Sequence, residues 1–311
     1  MAMALPLKVP LLVRQRALAH GVAGQRWLDG LDEVVATLAE RWALDLVEAL
    51  SGGTASYVVA AIDRSGRSCV LKVGMPLNSD EANMFSRSVR SHQLADGRGC
   101  AKLLNHDSSV PAMLLERLGP NLHEMSMPVP DILETISVTL RNFWRPIPAE
   151  VGLPSGAEKA LWLAQYISKM WTALDRPCPQ AVIVRALRLC DERAAAFNPS
   201  RAVLVHGDAH GWNTLDAGSG SFKFIDPEGL RSEPEHDLSV AMREYNEPLL
   251  SGDTPRLVQQ RAEFLATRCG ADARAVWEWG FIERVSTGLA AIHNFGGDTG
   301  AAFLEVAARC L

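Results

Sequence analysis

The stretch "VLVHGDAHGWNTL", residues 203 to 215, sets His206, Asp208, His210 and Asn213 directly after a short apolar run. Further along, "FKFIDPEG" places Asp226 at the end of a second apolar run. Asp208, Asn213 and Asp226 offer hard oxygen donors, the kind Mg²⁺ takes when it also keeps water and phosphate oxygens. A carboxylate left off the metal can accept a proton from an attacking hydroxyl, while a second carboxylate and a carboxamide hold the ion. Two strands ending at a common edge would bring these three side chains together. Taken singly, each is an ordinary loop residue, because Asp and Asn cap helices and tolerate turns. His206 and His210 have the spacing of zinc ligands on a helix, but Gly207 and Gly211 argue against a helix here.

A second group lies nearer the start. Lys72 interrupts the apolar run "CVLKVG", and a lysine there is costly to bury unless it is paired. Ahead of it, "SGGTAS" carries Gly52, Gly53 and Thr54, a turn whose backbone N–H groups can approach phosphate oxygens. Behind it, Glu81 falls near the start of a predicted helix, within reach as the lysine's ion-pair partner. The plainer readings are a solvent-facing lysine and a first-turn acid that favours the helix dipole.

These groups need elements to hold them. Residues 30 to 50 predict an amphipathic helix through Leu31, Val34, Val35, Leu38 and Trp42, then a strand near Leu44 to Leu50. "SYVVAAID" and "SCVLKVG", joined by "RSGR", predict a hairpin. Asn78, Ser79 and Asp80 are N-cap candidates for a helix ending before Gly97. Two short apolar runs, "CAKLLNHD" and "PAMLLERLG", complete a small sheet carrying one main helix. Beyond the junction near Arg117–Gly119 the pattern turns helical, with segments over 131–145, 156–175 and 180–197. In the second of these, Ala160, Leu161, Ala164, Ile167, Trp171 and Leu174 form an apolar stripe. Short strands at "RAVLVHGD" and "FKFIDPEG" precede a last long helix, "WEWGFIERVSTGLAAIHNF". The expected organisation is α+β, with domains at 1–117 and 118–311.

In order, the chain presents a Gly-rich turn, a strand lysine, a helix acid, a lobe junction, "HGDAHGWN" and "FIDPEG". This resembles the protein-kinase-like fold, and more closely the aminoglycoside phosphotransferase family. In that family the catalytic loop reads H-G-D-x-H-x-x-N and the metal segment begins I-D. His206, Gly207, Asp208, His210 and Asn213, then Ile225 and Asp226, match residue for residue. "IDPEGL", "EPEHDLS" and the early "GGTASYV" look most like the streptomycin 6-phosphotransferase and hydroxyurea phosphotransferase group.

The resemblance implies a bilobal fold, with a small antiparallel β-sheet lobe and a larger helical lobe. It implies ATP and Mg²⁺ as cofactors and a small-molecule hydroxyl acceptor, a cationic antibiotic foremost. Asp208 then orients the acceptor hydroxyl and takes its proton, and Asn213 and Asp226 hold Mg²⁺. Lys72, positioned by Glu81, grips the α- and β-phosphates under Gly52, Gly53 and Thr54. Backbone groups from Glu116 to Leu118 meet the adenine edge. Asp237 braces the catalytic loop and His206 fixes its backbone. Gly211–Trp212, Glu228 and "SEPEHD" depart from the family's usual residues near the acceptor. Hydroxyurea and a native sugar or amino alcohol are alternative acceptors. A non-catalytic nucleotide-binding module would have lost Lys72, Asp208, Asn213 or Asp226, and all four are present. A protein kinase would carry a longer segment after Asp226 with an Ala-Pro-Glu anchor.

The 311 residues are 48% hydrophobic and 22% charged, with a formal net charge of −5. That is an ordinary globular composition with no basic field for nucleic acid. No run is long and apolar enough to span a membrane. Pro6 and Pro10 break the apolar start, so no secretion signal is expected and the chain reads as cytoplasmic. Six cysteines without clustered spacing read as reduced thiols. Between Asp226 and Asp253, the acids Asp226, Glu228, Glu233, Glu235, Asp237, Glu244, Glu247 and Asp253 outnumber Arg231 and Arg243. They predict either an acidic rim drawing in a cationic acceptor or merely solvated loops.

Overall fold

The computed structural model describes residues 7–51, 55–75, 79–107 and 109–311. The chain divides into two compact units, one up to Gly119 and one from Pro120 to Leu311.

The first unit opens with helices α1 (Leu11–Ala19) and α2 (Gly21–Trp42). A five-stranded antiparallel sheet follows, built from β1 (Leu44–Ala49), β2 (Ser56–Asp63), β3 (Ser68–Gly74), β4 (Leu103–Asp107) and β5 (Ala112–Glu116). Its order is β1-β2-β3-β5-β4, with α3 (Ser79–Ala95) inserted between β3 and β4. The predicted stripe of α2 is present: Leu31, Val35 and Leu38 are buried against Tyr57, Val59, Cys69, Leu71 and Val73. Side chains alternate across a strand, so Cys69, Leu71 and Val73 take the α2 face and Lys72 takes the other. At the β2–β3 turn the Asp63 carboxylate accepts the backbone N–H of Ser65 and of Arg67. Helix α1 was not foreseen. Only Val13 and Ala17 are buried in it while Leu11, Leu12 and Leu18 are exposed, so its sequence carries no clear apolar stripe.

The second unit contains α4 (Val129–Phe143), α5 (Gly156–Ala173) and α6 (Gln180–Ala196), then β6 (Val203–Val205), β7 (Thr214–Gly218), β8 (Ser221–Phe224) and β9 (Leu230–Ser232). It closes with α7 (Pro234–Arg243), α8 (Asn246–Leu250), α9 (Thr254–Cys269), α10 (Ala273–Phe295) and α11 (Ala301–Arg309). Ser155 caps α5 through a capping box with Glu158. The face of α5 differs slightly from expectation. Ala160, Leu163, Ile167 and Met170 are the buried residues and Leu161 is 49% exposed. The buried residues pack with Val182, Ile183, Ala186 and Leu189 of α6 and with Trp279, Ile282 and Val285 of α10. α10 is buried on every side over its middle, including Glu283 and Arg284, as befits the central helix of a unit. Among the described residues, no helix is long and apolar enough to cross a membrane, and all six cysteines are free thiols.

Candidate active site

Asp208 and Asp226 do follow short strands, but the strands are not partners. β6 pairs with β9, and β7 pairs with β8. A hydrogen-bond relay joins the two ends instead. His206, just beyond β6, lies fully buried and its Nε2 meets the Ile225 carbonyl at 2.8 Å. Its Nδ1 accepts the Asp208 N–H at 3.2 Å, which makes Nε2 the protonated nitrogen. Burial pushes His206 below the ordinary histidine value, in keeping with a neutral ring that ties two backbone segments together. Ile225 N–H in turn donates to the Asn213 carbonyl at 2.9 Å. With both ring nitrogens engaged, His206 has no lone pair for zinc. Among the described residues no group of three His, Cys, Asp or Glu is placed to hold a metal ion.

The loop is held from beneath by Asp237 on α7, which is fully buried. Its Oδ2 accepts the His206 N–H at 2.8 Å and its Oδ1 the Gly207 N–H at 2.7 Å. Trp144 Nε1 donates to Oδ2 at 2.8 Å. This tryptophan's part is not legible in local spacing, since the two residues are far apart in the chain. Gly207 has φ +88°, and a Cβ there would come within 2.9 Å of Glu228 Cβ. Both its backbone angle and its crowding require glycine.

Asp208 is gripped on both oxygens. Oδ2 faces His210 Nε2 at 3.1 Å and accepts Asn213 Nδ2 at 3.2 Å. Oδ1 accepts Arg243 Nη2 at 2.8 Å. Burial by itself would raise this carboxyl, but the charges of His210 and Arg243 override it and hold it far below the usual carboxylate range. Asn213 Nδ2 also donates to the Asp208 carbonyl at 3.0 Å, which turns its Oδ1 away from Asp208 as a donor oxygen for another group. Asp226 sits at φ 59°, a conformation that non-glycine residues keep chiefly where surroundings impose it. The carboxamide of Asn213 and the carboxylate of Asp226 carry hard oxygen donors, the chemical type that fits Mg²⁺.

In the other unit, Lys72 is half-buried in the middle of β3, paired in register with Val58 of β2 and Met113 of β5. On the same face, a Cβ at Gly74 would meet the Phe85 ring of α3 at 2.7 Å. α3 therefore runs past the face that Lys72 occupies, and Glu81 belongs to its first turn. The Glu81 side chain, Gly52, Gly53 and Thr54 lie outside the described residues. Glu116 closes β5. Its N–H donates to the Lys102 carbonyl at 3.0 Å and its carboxylate accepts the Lys102 N–H at 2.7 Å. That N–H is therefore spent on the sheet and is not offered to an adenine edge. Leu118 follows in irregular, partly buried chain.

Of the eight acids counted toward a rim, three are internal, while Glu247 and Asp253 are exposed. Glu233, Glu235 and Asp237 are buried. Glu233 accepts Trp279 Nε1, and Glu235 accepts Arg201 Nη2. Neither a steering field nor a solvated loop describes these three acids. Glu228 pairs with Lys159 at 2.9 Å, and Glu244 with Arg243 at 3.2 Å. Both remain partly accessible, as does Asp208. Trp212 is half exposed and stacks on His123, ring centroids 3.8 Å apart.

A profile of the aminoglycoside/hydroxyurea antibiotic resistance kinase family matches residues 41–295. The chain belongs to that family. Among its kinase relatives, streptomycin 6-kinase of Streptomyces glaucescens is 29% identical over 277 residues, covering 86% of each chain. Hydroxyurea phosphotransferase of Kitasatospora aureofaciens is 27% identical over 263 residues, 83% of this chain and 72% of that one. Solved kinases share the fold. A thermostable mutant of aminoglycoside phosphotransferase APH(4)-Ia, in ternary complex with AMP-PNP and hygromycin B, superposes with TM-score 0.58 at 17% identity, covering 89% and 96% of the two chains. A Plasmodium vivax ethanolamine kinase gives 0.56 at 14% identity, covering 86% of this chain and 82% of that one. The α+β, protein-kinase-like fold implied by the motifs is the fold observed.

Proposed function

We propose that this kinase transfers the γ-phosphoryl group of ATP to a hydroxyl of an aminoglycoside of the streptomycin type. The observation that carries this reading is the braced loop in which Asp208, Asn213 and the Ile225–Asp226 segment are fixed to one another through His206 and Asp237. Phosphoryl transfer asks little covalent chemistry of a protein and much alignment, and this loop is built for alignment.

Asp208 accepts a hydrogen bond from the acceptor hydroxyl and directs its oxygen at the γ-phosphorus. As the new O–P bond forms, the bond from the γ-phosphorus to the β,γ-bridging oxygen breaks, and its electron pair leaves with ADP. The hydroxyl proton passes to Asp208. Asn213 and Asp226 would hold Mg²⁺, which would neutralise phosphate charge there. Lys72, with Glu81 as its expected ion-pair partner, is assigned to the α- and β-phosphates, and Gly52, Gly53 and Thr54 to covering them. Leu118 and the Glu116 carbonyl remain the backbone candidates for the adenine edge. Asp208, Glu228 and Glu244, partly accessible within one unit, favour a cationic acceptor over neutral hydroxyurea.

The test is ATP turnover with Mg²⁺ against streptomycin, other aminoglycosides, hydroxyurea and simple sugars. The expected result is fastest transfer to an aminoglycoside. Transfer to hydroxyurea or a sugar alone would reassign the acceptor, and no transfer to any of them would remove the reading.

A further inference from the structure

Arg243 ends α7 and is buried to 8% exposure. Its guanidinium is divided among three carboxylates. Nη2 meets Asp208 Oδ1 at 2.8 Å, Nη1 meets Glu283 Oε2 of α10 at 2.8 Å, and Nε meets Glu244 Oε1 at 3.2 Å. The Arg243 carbonyl also accepts Arg284 Nη1 from α10 at 2.9 Å, so side chain and backbone are both anchored to the central helix. The consequence for Asp208 follows from counting acceptor sites. Each carboxylate oxygen has two in-plane positions. Oδ2 faces both His210 and Asn213, whereas Oδ1 holds, among the described residues, Arg243 alone.

Resting on the phosphotransferase reading, we propose that Arg243 is a positioning residue for Asp208. It fixes the carboxylate plane so that the unused position on Oδ1 receives the acceptor hydroxyl. Held only through Oδ2, the carboxylate would be free to turn about its terminal torsion, which is broad for aspartate. Arg243 removes that freedom from the opposite side. Its planar fork reaches three carboxylates at fixed angles, which the single ammonium of lysine does not reproduce. Acting through Asp208, Arg243 should show its loss in the rate of the bound complex and not in nucleotide binding.

The experiment compares wild type, Arg243→Lys and Arg243→Ala, using ATP, Mg²⁺ and whichever acceptor the wild type phosphorylates fastest. Thermal melting is recorded for each. Arg243→Lys is expected to fold, to lose kcat by about 10²-fold as misplaced reacting groups do, and to keep the KM for ATP within about twofold of wild type. Added guanidinium at non-denaturing concentration should restore part of the kcat of Arg243→Ala and leave Arg243→Lys unchanged. Wild-type kcat in folded Arg243→Lys would overturn the proposal. So would a loss that merely follows the unfolded fraction, or an equal rise in KM for ATP. A wild-type chain that phosphorylates no acceptor would sink the phosphotransferase reading itself, a result distinct from any of these.

Discussion

Around the catalytic loop, Asp208, Arg243 and Glu283 form a connected set of charges. Glu283 shows how this depends on pH. Burial by itself would raise its carboxyl, but the contact with His236 and the charges of Lys159 and Arg243 outweigh it and hold the group down to about 2, from an ordinary 4.5. A carboxyl depressed on folding contributes stability above its unfolded value and loses it as pH falls toward its folded value. Wild type should therefore lose stability between about pH 4.5 and 2 more steeply than Glu283→Gln. Urea midpoints measured across that range check this, and parallel curves would contradict it. At neutral pH, Glu283→Gln should cost on the order of 3 kcal/mol, because it leaves the Arg243 charge buried with one partner fewer. The Asp237 carboxylate accepts two backbone N–H groups and the Trp144 indole, so no single loop residue carries the geometry alone.

Single elements separate stability from turnover. Ser155 caps α5 with its hydroxyl accepting Glu158 N–H while Glu158 reaches back to Ser155 N–H. Ser155→Ala should cost about 1 kcal/mol of stability and leave kcat unchanged. Gly207→Ala acts on the loop itself. At φ +88°, with Glu228 Cβ and Leu230 Cδ1 in the way of a new methyl, it should cost roughly 1–3 kcal/mol and also lower kcat. Chemical denaturation and turnover of the two variants distinguish these outcomes, and equal kcat in both would show that the loop tolerates displacement. The contrast reflects what could be read along the chain. Ser155 and Glu158, like the histidine, aspartate and asparagine of the loop, are close in sequence and carry their message in local spacing. α1 sends no such message because its apolar residues do not share a face.

Across the whole molecule, the legible parts were those written in contiguous motifs, and the illegible ones were pairings between distant segments. The α2 stripe, the β2–β3 hairpin, the three helices after Pro120 and the Asp237 brace could be anticipated. Arg243 could not be told from a surface arginine, because Glu283, which holds it, belongs to another helix. Glu233 and Glu235 looked like part of an acidic rim for the same reason: their partners Trp279 and Arg201 lie on remote segments. The pairing of β6 with β9 in place of β8 is likewise a choice made by the fold. Of these partnerships, that of Arg243 acts on the Asp208 carboxylate. The most direct measurement follows labelled phosphate from γ-labelled ATP into streptomycin, with wild type and Asp208→Ala side by side and ATP affinity determined for both. The account predicts transfer by wild type, about a thousandfold less by Asp208→Ala, and ATP affinities within a few-fold of each other. Undiminished transfer by a folded Asp208→Ala enzyme would contradict it.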